Sequence, residues 1–368
     1  MKEENQYKSA YKGDQEKKMY HAIYPGKVWL DTEGKRIQAH GGSVMYWDGI
    51  YYWYGENKEK TTGDNDIWHW GVRCYTSTDL YNWEDKGLII PPEPDDAGSS
   101  LHPSAQMDRP HIIYNQTTGK FVCWLKIMHK DKTQTVTILT ADHILGPYQK
   151  IREGFKPLNM SAGDFDLVVA EDGKAYYYFE RVHSETICAD LTADYTDVTG
   201  YYSTHFPHPY PPYVREATAH FQRNGKHYLL TSGTTGYLPN PSEAAIADTW
   251  HGPYQVQGNP HLSDESHTSY HSQISSVFKV HGKKDLYIAM ADRWMPKHMH
   301  LQYEKYRELF EKNFNPDYSG NVQMDEEILK CVLDKNTSIA DYVWLPIRFD
   351  GENAYIDWLD EWRIEDYK

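Results

Sequence analysis

The chain has 368 residues, a formal net charge of −15, and 39% apolar and 25% charged residues, a size and composition that fit a globular protein. The acidic balance repels nucleic-acid phosphates and anionic lipid headgroups, and no run of about 18 apolar residues offers a membrane span, so neither nucleic acid nor membrane is an expected partner. Aromatic content stands out at 14%, with 31 Tyr and 12 Trp; such rings favour strands, and their flat faces also suit the C–H faces of sugars.

Residues 1–26 read as an N-terminal extension. The opening MKEENQYKSAYKGDQEKKMY is polar and lacks the apolar centre of a secretory signal. The four cysteines, Cys74, Cys123, Cys188 and Cys331, lie far apart without a CxxC pair, which reads as reduced, structural thiols rather than zinc ligands. Both features point to the cytoplasm. Residues 27–368 read as one domain. KVWLDTEGKRIQAH (27–40) supplies strand residues, and five hairpins follow: VMYWDGIYYWYG (44–55), HIIYNQTTGKFVCWL (111–125), LVVAEDGKAYYYF (167–179), HFQRNGKHYLLTS (220–232) and VFKVHGKKDLYIAM (277–290). Each turns at a glycine (Gly49, Gly119, Gly173, Gly225, Gly282), where the backbone needs a positive φ. Further β-rich pieces follow three of them, at 77–87, 141–150 and 247–256. A repeat of about four strands is a propeller blade, and the absence of alternating amphipathic helices excludes a parallel α/β fold. The expected fold class is therefore all-β, a five-bladed β-propeller.

The pattern breaks at 295–341. There Met299, Tyr303, Tyr306 and Phe310 share one helical face, and MDEEILKCVLDK (324–335) reads as a second helix. This is a helical insertion in the last blade, expected to pack on the propeller's side, with a cap over the site or a dimer contact as other roles. The oligomeric state is not given by the sequence. YVWLPIRFDGENAYIDWLDEWRI (342–364) ends the chain, and either it or 27–40 could complete a blade begun by the other terminus.

In a propeller the innermost strand of each blade lines the axis, so residues at its start converge. Counting back from each turn glycine, with allowance for the longer second turn, lands on His40, Asp108, Asp164, Glu216 and Gln273. Three carboxylates and two neutral polar groups in one register suit glycosidic cleavage, where one carboxylic acid protonates the leaving oxygen and a second group activates water. Crowding raises the pKa of one carboxylate so that it stays protonated near neutrality. No HExxH, GxSxG or phosphate-loop pattern is present, and the 19 histidines are dispersed along the chain. His271, two residues before Gln273, could approach the channel.

AHGGSVMYWDGIYYWYGE (39–56), VRCYTSTDLYNW (72–83), DRPHIIYNQTTGKFVCW (108–124), REATAHFQRNGKHYLLTSGTTGY (215–237), SQISSVF (272–278), ADRW (291–294) and YVWLPI (342–347) together resemble glycoside hydrolase family 43, in its exo-β-1,3-galactanase-like branch. The resemblance implies a five-bladed propeller, inversion at the anomeric carbon, Glu216 as general acid and Asp164 as the group that tunes it. The aspartate base usual on blade one is replaced by His40-Gly41-Gly42, and the resemblance puts Gln273 in that role, with Asp108 at the family's sugar-binding glutamate position; Asp108 is also a catalytic candidate that helps Gln273 position the attacking water. Two positions depart from the branch: Asp108 opens DRP instead of ERP, and Tyr237 replaces a tryptophan. Tyr237 and Trp294 are expected to stack on the sugar, with Arg293, Glu180 and His40 around them. The substrate expected is an oligosaccharide losing terminal galactose from a β-1,3-galactan. An α-L-arabinofuranosidase or β-xylosidase, a sugar-binding propeller without catalysis, and a phosphorylase are the alternatives. No cofactor is implied, and whether calcium occupies the central channel is left open.

Overall fold

In the computed structural model, which describes residues 19–323 and 325–368, the strand-forming runs fold as five four-stranded antiparallel sheets, each a simple meander. Blade one holds β1 (His40–Trp47), β2 (Ile50–Glu56), β3 (Val72–Ser77) and β4 (Glu84–Ile90). Blade two holds β5 (Gln106–Asn115), β6 (Lys120–Met128), β7 (Gln134–Ala141) and β8 (Gln149–Phe155). Blade three holds β9 (Ala162–Val169), β10 (Ala175–Arg181), β11 (Glu185–Leu191) and β12 (Val198–His205). Blade four holds β13 (Arg215–Arg223), β14 (Lys226–Gly233), β15 (Glu243–Ala247) and β16 (Gln255–Gly258). Blade five holds β17 (Gln273–Lys279), β18 (Tyr287–Arg293), β19 (Asp341–Asp350) and β20 (Asn353–Ile356). The innermost strands β1, β5, β9, β13 and β17 each touch the next, and β17 touches β1, which closes the ring.

Side chains alternate across a strand, so each sheet feeds two inter-blade cores. On β2, Trp53 enters the core shared with blade five and its neighbour Tyr54 the core shared with blade two. On β6, Cys123 faces blade one and Trp124 faces blade three. On β10, Tyr177 faces blade two and Tyr178 faces blade four. All four cysteines are buried and unpaired.

Among the described residues neither terminus lends a strand to the other's blade; each sheet is built from one contiguous run. The seam is instead packed with indoles. Trp29 lies 5.5 Å from Trp53 and 5.1 Å from Trp344, and Trp53 lies 4.5 Å from Trp344. Outside them, Ile23 and Trp362 exchange backbone hydrogen bonds of 2.9 and 3.0 Å. The large buried apolar area supplies the closure that a swapped strand would otherwise give.

The insertion between β18 and β19 forms α1 (Glu304–Phe314) and α2 (Glu326–Leu333), the latter capped by the Asp325 side chain on the backbone N–H of Glu327. Tyr306 and Leu309 of α1 and Ile328 and Cys331 of α2 pack with Leu238, in the loop after β14. The insertion thus docks on a loop at the end of blade four. Met299, expected on the buried face, precedes the helix and is exposed.

Candidate active site

The five register positions gather at one end of the ring, at or near the starts of β1, β5, β9, β13 and β17. Three of them are aimed by the same device. His40, Asp108 and Glu216 each precede a residue of positive φ (Gly41 at 60°, Arg109 at 56°, Ala217 at 51°), and the ladder register slips at each point. Such a bulge twists the strand and redirects its side chains. Glycine is required at 41, since a Cβ there would sit 2.3 Å from Glu56 Oε1. Arg109 and Ala217 carry the same backbone strain without glycine's freedom, which is common where geometry serves a site.

Across each hairpin stands a second polar residue. His40 pairs with Glu56, Asp108 with Lys126, Glu216 with Ser232 and Gln273 with Asp292. Glu180 lies at the irregularity in β10 between Phe179, which pairs with Phe165, and Arg181, which pairs with Ala162. The site is therefore two rings of side chains, and of the second ring only Glu180 was read from the sequence.

The charges divide unevenly. Asp164 accepts from Arg109 Nη2 at 2.9 Å and Lys126 Nζ at 2.7 Å. Burial pushes its pKa up, but the two cations outweigh burial and hold the carboxyl at about 2. Lys126 also reaches Asp108 Oδ2 at 3.3 Å, and Asp108 Oδ1 accepts from the Trp68 indole N–H at 2.7 Å. Deeper, Lys58 lies 2.8 Å from Glu56, whose pKa burial lifts to about 7 against the pull of that ammonium. Glu216 makes no ion pair among the described residues. Burial, reinforced by the negative charges of Asp164 and Glu180, drives its pKa well above the carboxylate range. Burial likewise pushes Glu180 up to about 7. Two neighbouring carboxyls are thus driven in opposite directions, Glu216 towards the acid and Asp164 towards the anion.

Gln273 links them. Its Nε2 donates to Ser232 Oγ at 3.0 Å and to Glu216 Oε1 at 3.3 Å. Its Oε1 accepts from Arg109 Nη2 at 2.7 Å and from Trp294 Nε1 at 3.3 Å. Arg109 also donates through Nη1 to the Ile274 carbonyl and through its backbone N–H to Glu56. It is the hub of the site.

The aromatic wall has three members. Tyr237 stacks on Trp68 at 5.8 Å and lies 5.1 Å from Trp294. A narrow crevice opens beside it, lined by Tyr237, Gln273, Trp294 and Met295. His271 belongs to the same lining, its Nε2 on the Leu301 carbonyl of the insertion at 2.9 Å.

Three expected contact residues do not face this space. His40 is 0% exposed, stacked on Tyr342 with its Nδ1 2.9 Å from Asp292; it supports the floor below Trp294. Glu180 is 2% exposed and accepts from the His183 backbone N–H. Arg293 follows the inward-facing Asp292, so strand alternation turns it away; its guanidinium donates to the Tyr270 carbonyl at 2.9 Å and the Gly26 carbonyl at 3.4 Å.

The profile of glycosyl hydrolases family 43 matches residues 36–309. The chain belongs to this family. Among solved structures it is similar to the family 43 β-1,3-galactosidase BT0265, at 30% identity and a TM-score of 0.76 over 94% of this chain, which spans 64% of that one. It is also similar to the family 43 β-1,3-galactosidase BT3683, solved with galactodeoxynojirimycin, at 28% identity and a TM-score of 0.74 over 93% of this chain and 100% of that one. An exo-β-1,3-galactanase from Clostridium thermocellum matches at 26% identity and a TM-score of 0.69, covering 92% and 66% of the two chains. No curated protein matches by sequence.

Reasoning from sequence missed four groups in this family 43 site: Arg109, Lys126, Trp68 and Ser232. A usable signal existed for two of them. Glu56, Lys126, Glu180 and Ser232 each stand seven residues past a turn glycine (Gly49, Gly119, Gly173, Gly225), the mirror of the register that located the first ring.

Proposed function

We propose that this family 43 chain is an inverting exo-glycosidase that removes terminal galactose from β-1,3-linked galactooligosaccharides. The observation that carries the reading is the opposed pair: Glu216 held neutral beside an Asp164 held ionised by Arg109 and Lys126. A proton on Glu216 is then available for the glycosidic oxygen, and the Asp164 anion keeps it there until the leaving group takes it. Asp108 and Lys126 sit where sugar hydroxyls would be bound, and Trp68, Tyr237 and Trp294 offer ring faces to the sugar. The structural similarity to β-1,3-galactosidases, one of them solved with galactodeoxynojirimycin, supports galactose as the sugar.

Inversion needs water between sugar and base, with the two catalytic groups about 6.5–9.5 Å apart. Gln273 lies 3.3 Å from Glu216, so a bound sugar must part them before Gln273 can hold the attacking water. Asp108, fixed by Trp68 and Lys126, is a second acceptor at this end of the ring. One observation favours a second reading, binding without turnover: the blade-one position holds a histidine, buried on Asp292 of blade five, where the resemblance leads one to expect an aspartate base. Release of free sugar from β-1,3-galactobiose, an α-L-arabinofuranoside and a β-xyloside, with and without phosphate, separates the readings. Preferred hydrolysis of the arabinofuranoside or xyloside removes the galactose assignment. Binding with no release replaces the enzyme reading, and dependence on phosphate replaces hydrolysis by phosphorolysis.

A further inference from the structure

The insertion carries a second constellation, outside the ring of side chains on the propeller axis. After β18 the chain runs through KHMHL, and α2 returns alongside it. One ligand atom each from His298, His300 and Cys331 falls within a mutual 4.8 Å. Cys331 Sγ lies 3.2 Å from His298 Nδ1. We propose that His298, His300 and Cys331 form a binding site for a thiophilic divalent cation, zinc foremost, that fastens α2 to the segment following the active-site wall.

Four arguments support it. First, a tetrahedral zinc with bonds of about 2.0–2.3 Å sets its ligand atoms about 3.3–3.7 Å apart; the Cys331–His298 pair at 3.2 Å is already near that spacing, and His300, with all three atoms inside 4.8 Å, needs only a small inward shift. Second, His298 is oriented as a ligand is: its Nε2 lies 2.9 Å from Asp334 Oδ2, which leaves Nδ1 turned to the cysteine. A ligating imidazole whose other nitrogen is held by a carboxylate is the usual outer arrangement of a zinc site. Third, the exposed imidazole also has a carboxylate beside it, and the fourth position falls to solvent. Glu327, one turn before Cys331 on α2, has Oε1 3.0 Å from His300 Nε2. Fourth, the burial is graded: Cys331 is 1% exposed while His300 is exposed, giving a shielded thiolate and an entry path. Thiolate with imidazole selects zinc over the hard cations. On binding, the Cys331 thiol gives its proton to solvent and the metal takes its place.

The cation would act on the wall beside the sugar pocket. A narrow surface cleft is lined by Tyr237, Trp294, Met295, Pro296 and Lys297 on one side and Asp334, Asn336 and Thr337 on the other. A metal joining His298 and Cys331 would clamp its two sides.

The test uses the full chain, stripped with chelator, equilibrated with zinc chloride, freed of excess by gel filtration and assayed by elemental analysis. Cobalt(II) is used in parallel to read a thiolate-to-metal charge-transfer band. The expected result is one zinc per chain and a cobalt–thiolate band, both lost in Cys331→Ser, with zinc also lost in His300→Ala. Because His300 is exposed, that variant should fold even if the buried Cys331→Ser does not. Asp334→Asn should keep the site but weaken it about 10–100-fold. Failure of the wild type to hold zinc, or retention unchanged in both ligand variants, overturns the proposal. In that case the trio is a thiol–imidazole hydrogen bond beside two ion pairs.

Discussion

Replacing Glu216 by Gln keeps the side chain's volume and its contact with Gln273 but removes the transferable proton. Loss of a positioned general acid costs about 10²–10⁴-fold, or about 2.7–5.5 kcal/mol of barrier. The structure places this substitution towards the upper end for an unactivated disaccharide, because no other acid can stand in. Glu180 is buried and engaged by the His183 N–H, and Asp164 is held as an anion. An aryl galactoside with an acidic phenol needs little protonation and should lose less. The same substitution should remove the alkaline limb of kcat/KM, which in wild type reports deprotonation of Glu216. It should also change stability with a defined sign. Burial raises the Glu216 pKa, so the folded state binds a proton that the unfolded chain releases above its ordinary carboxylate value. Wild-type stability therefore falls as pH rises through that window, by at most about 1.4 kcal/mol per pH unit from this group, and Glu216→Gln should lack that slope. Steady-state kinetics on β-1,3-galactobiose and an aryl galactoside, with urea melts at two pH values, measure all three effects. Near-normal turnover of the disaccharide, or an unchanged alkaline limb, refutes the assignment of Glu216 as the acid.

Asp164→Asn should shift the alkaline limb to lower pH, since it removes an anion that raises the Glu216 pKa. It should also destabilise the fold by about 3–5 kcal/mol by leaving Arg109 and Lys126 without their partner; pH–rate profiles and urea melts check both. In wild type the Asp164 pairing is fully present above the ordinary carboxylate value and is lost as pH falls through about 2, so acid melts of the two proteins should converge. Lys126→Met removes the ammonium shared by Asp164 and Asp108 and should raise KM for galactobiose more than Trp68→Ala. The latter removes a ring stacked on Tyr237 and should cost about 0.5–1.5 kcal/mol of binding, read as KM or by calorimetry with a galactose-type inhibitor. Trp53→Ala empties the seam between the first and last blades and should lower unfolding free energy by about 3–5 kcal/mol with little change in KM.

Turn chemistry made the propeller legible. Gly49, Gly119, Gly173, Gly225 and Gly282 all adopt the positive φ that a tight hairpin requires. Because a hairpin fixes register, each glycine located the start of an inner strand, and from there His40, Asp108, Asp164, Glu216 and Gln273. The second ring obeys the same register but lies one strand further out, where only the residue opposite matters; Lys126, alone in the apolar run FVCWLKIM, was its clearest sign. Arg109 was hidden for a different reason. One residue past Asp108, simple alternation would point it away from the axis, and only the bulge brings it in. Trp68 lies in the long loop between β2 and β3, where no periodicity operates. The seam was misjudged because sequence gives strands but not the indole packing of Trp29, Trp53 and Trp344 that makes exchange unnecessary. The insertion's helices were visible, but their docking on Leu238 depends on a loop 60 or more positions away in sequence.

The most direct test of the opposed carboxyls at Glu216 and Asp164 is proton NMR of wild-type protein mixed with β-1,3-galactobiose, recorded before mutarotation. Early appearance of α-galactose is expected, since a neutral acid on one side and water on the other invert the β linkage. First release of β-galactose, or an unchanged disaccharide in the presence of saturable binding, contradicts it.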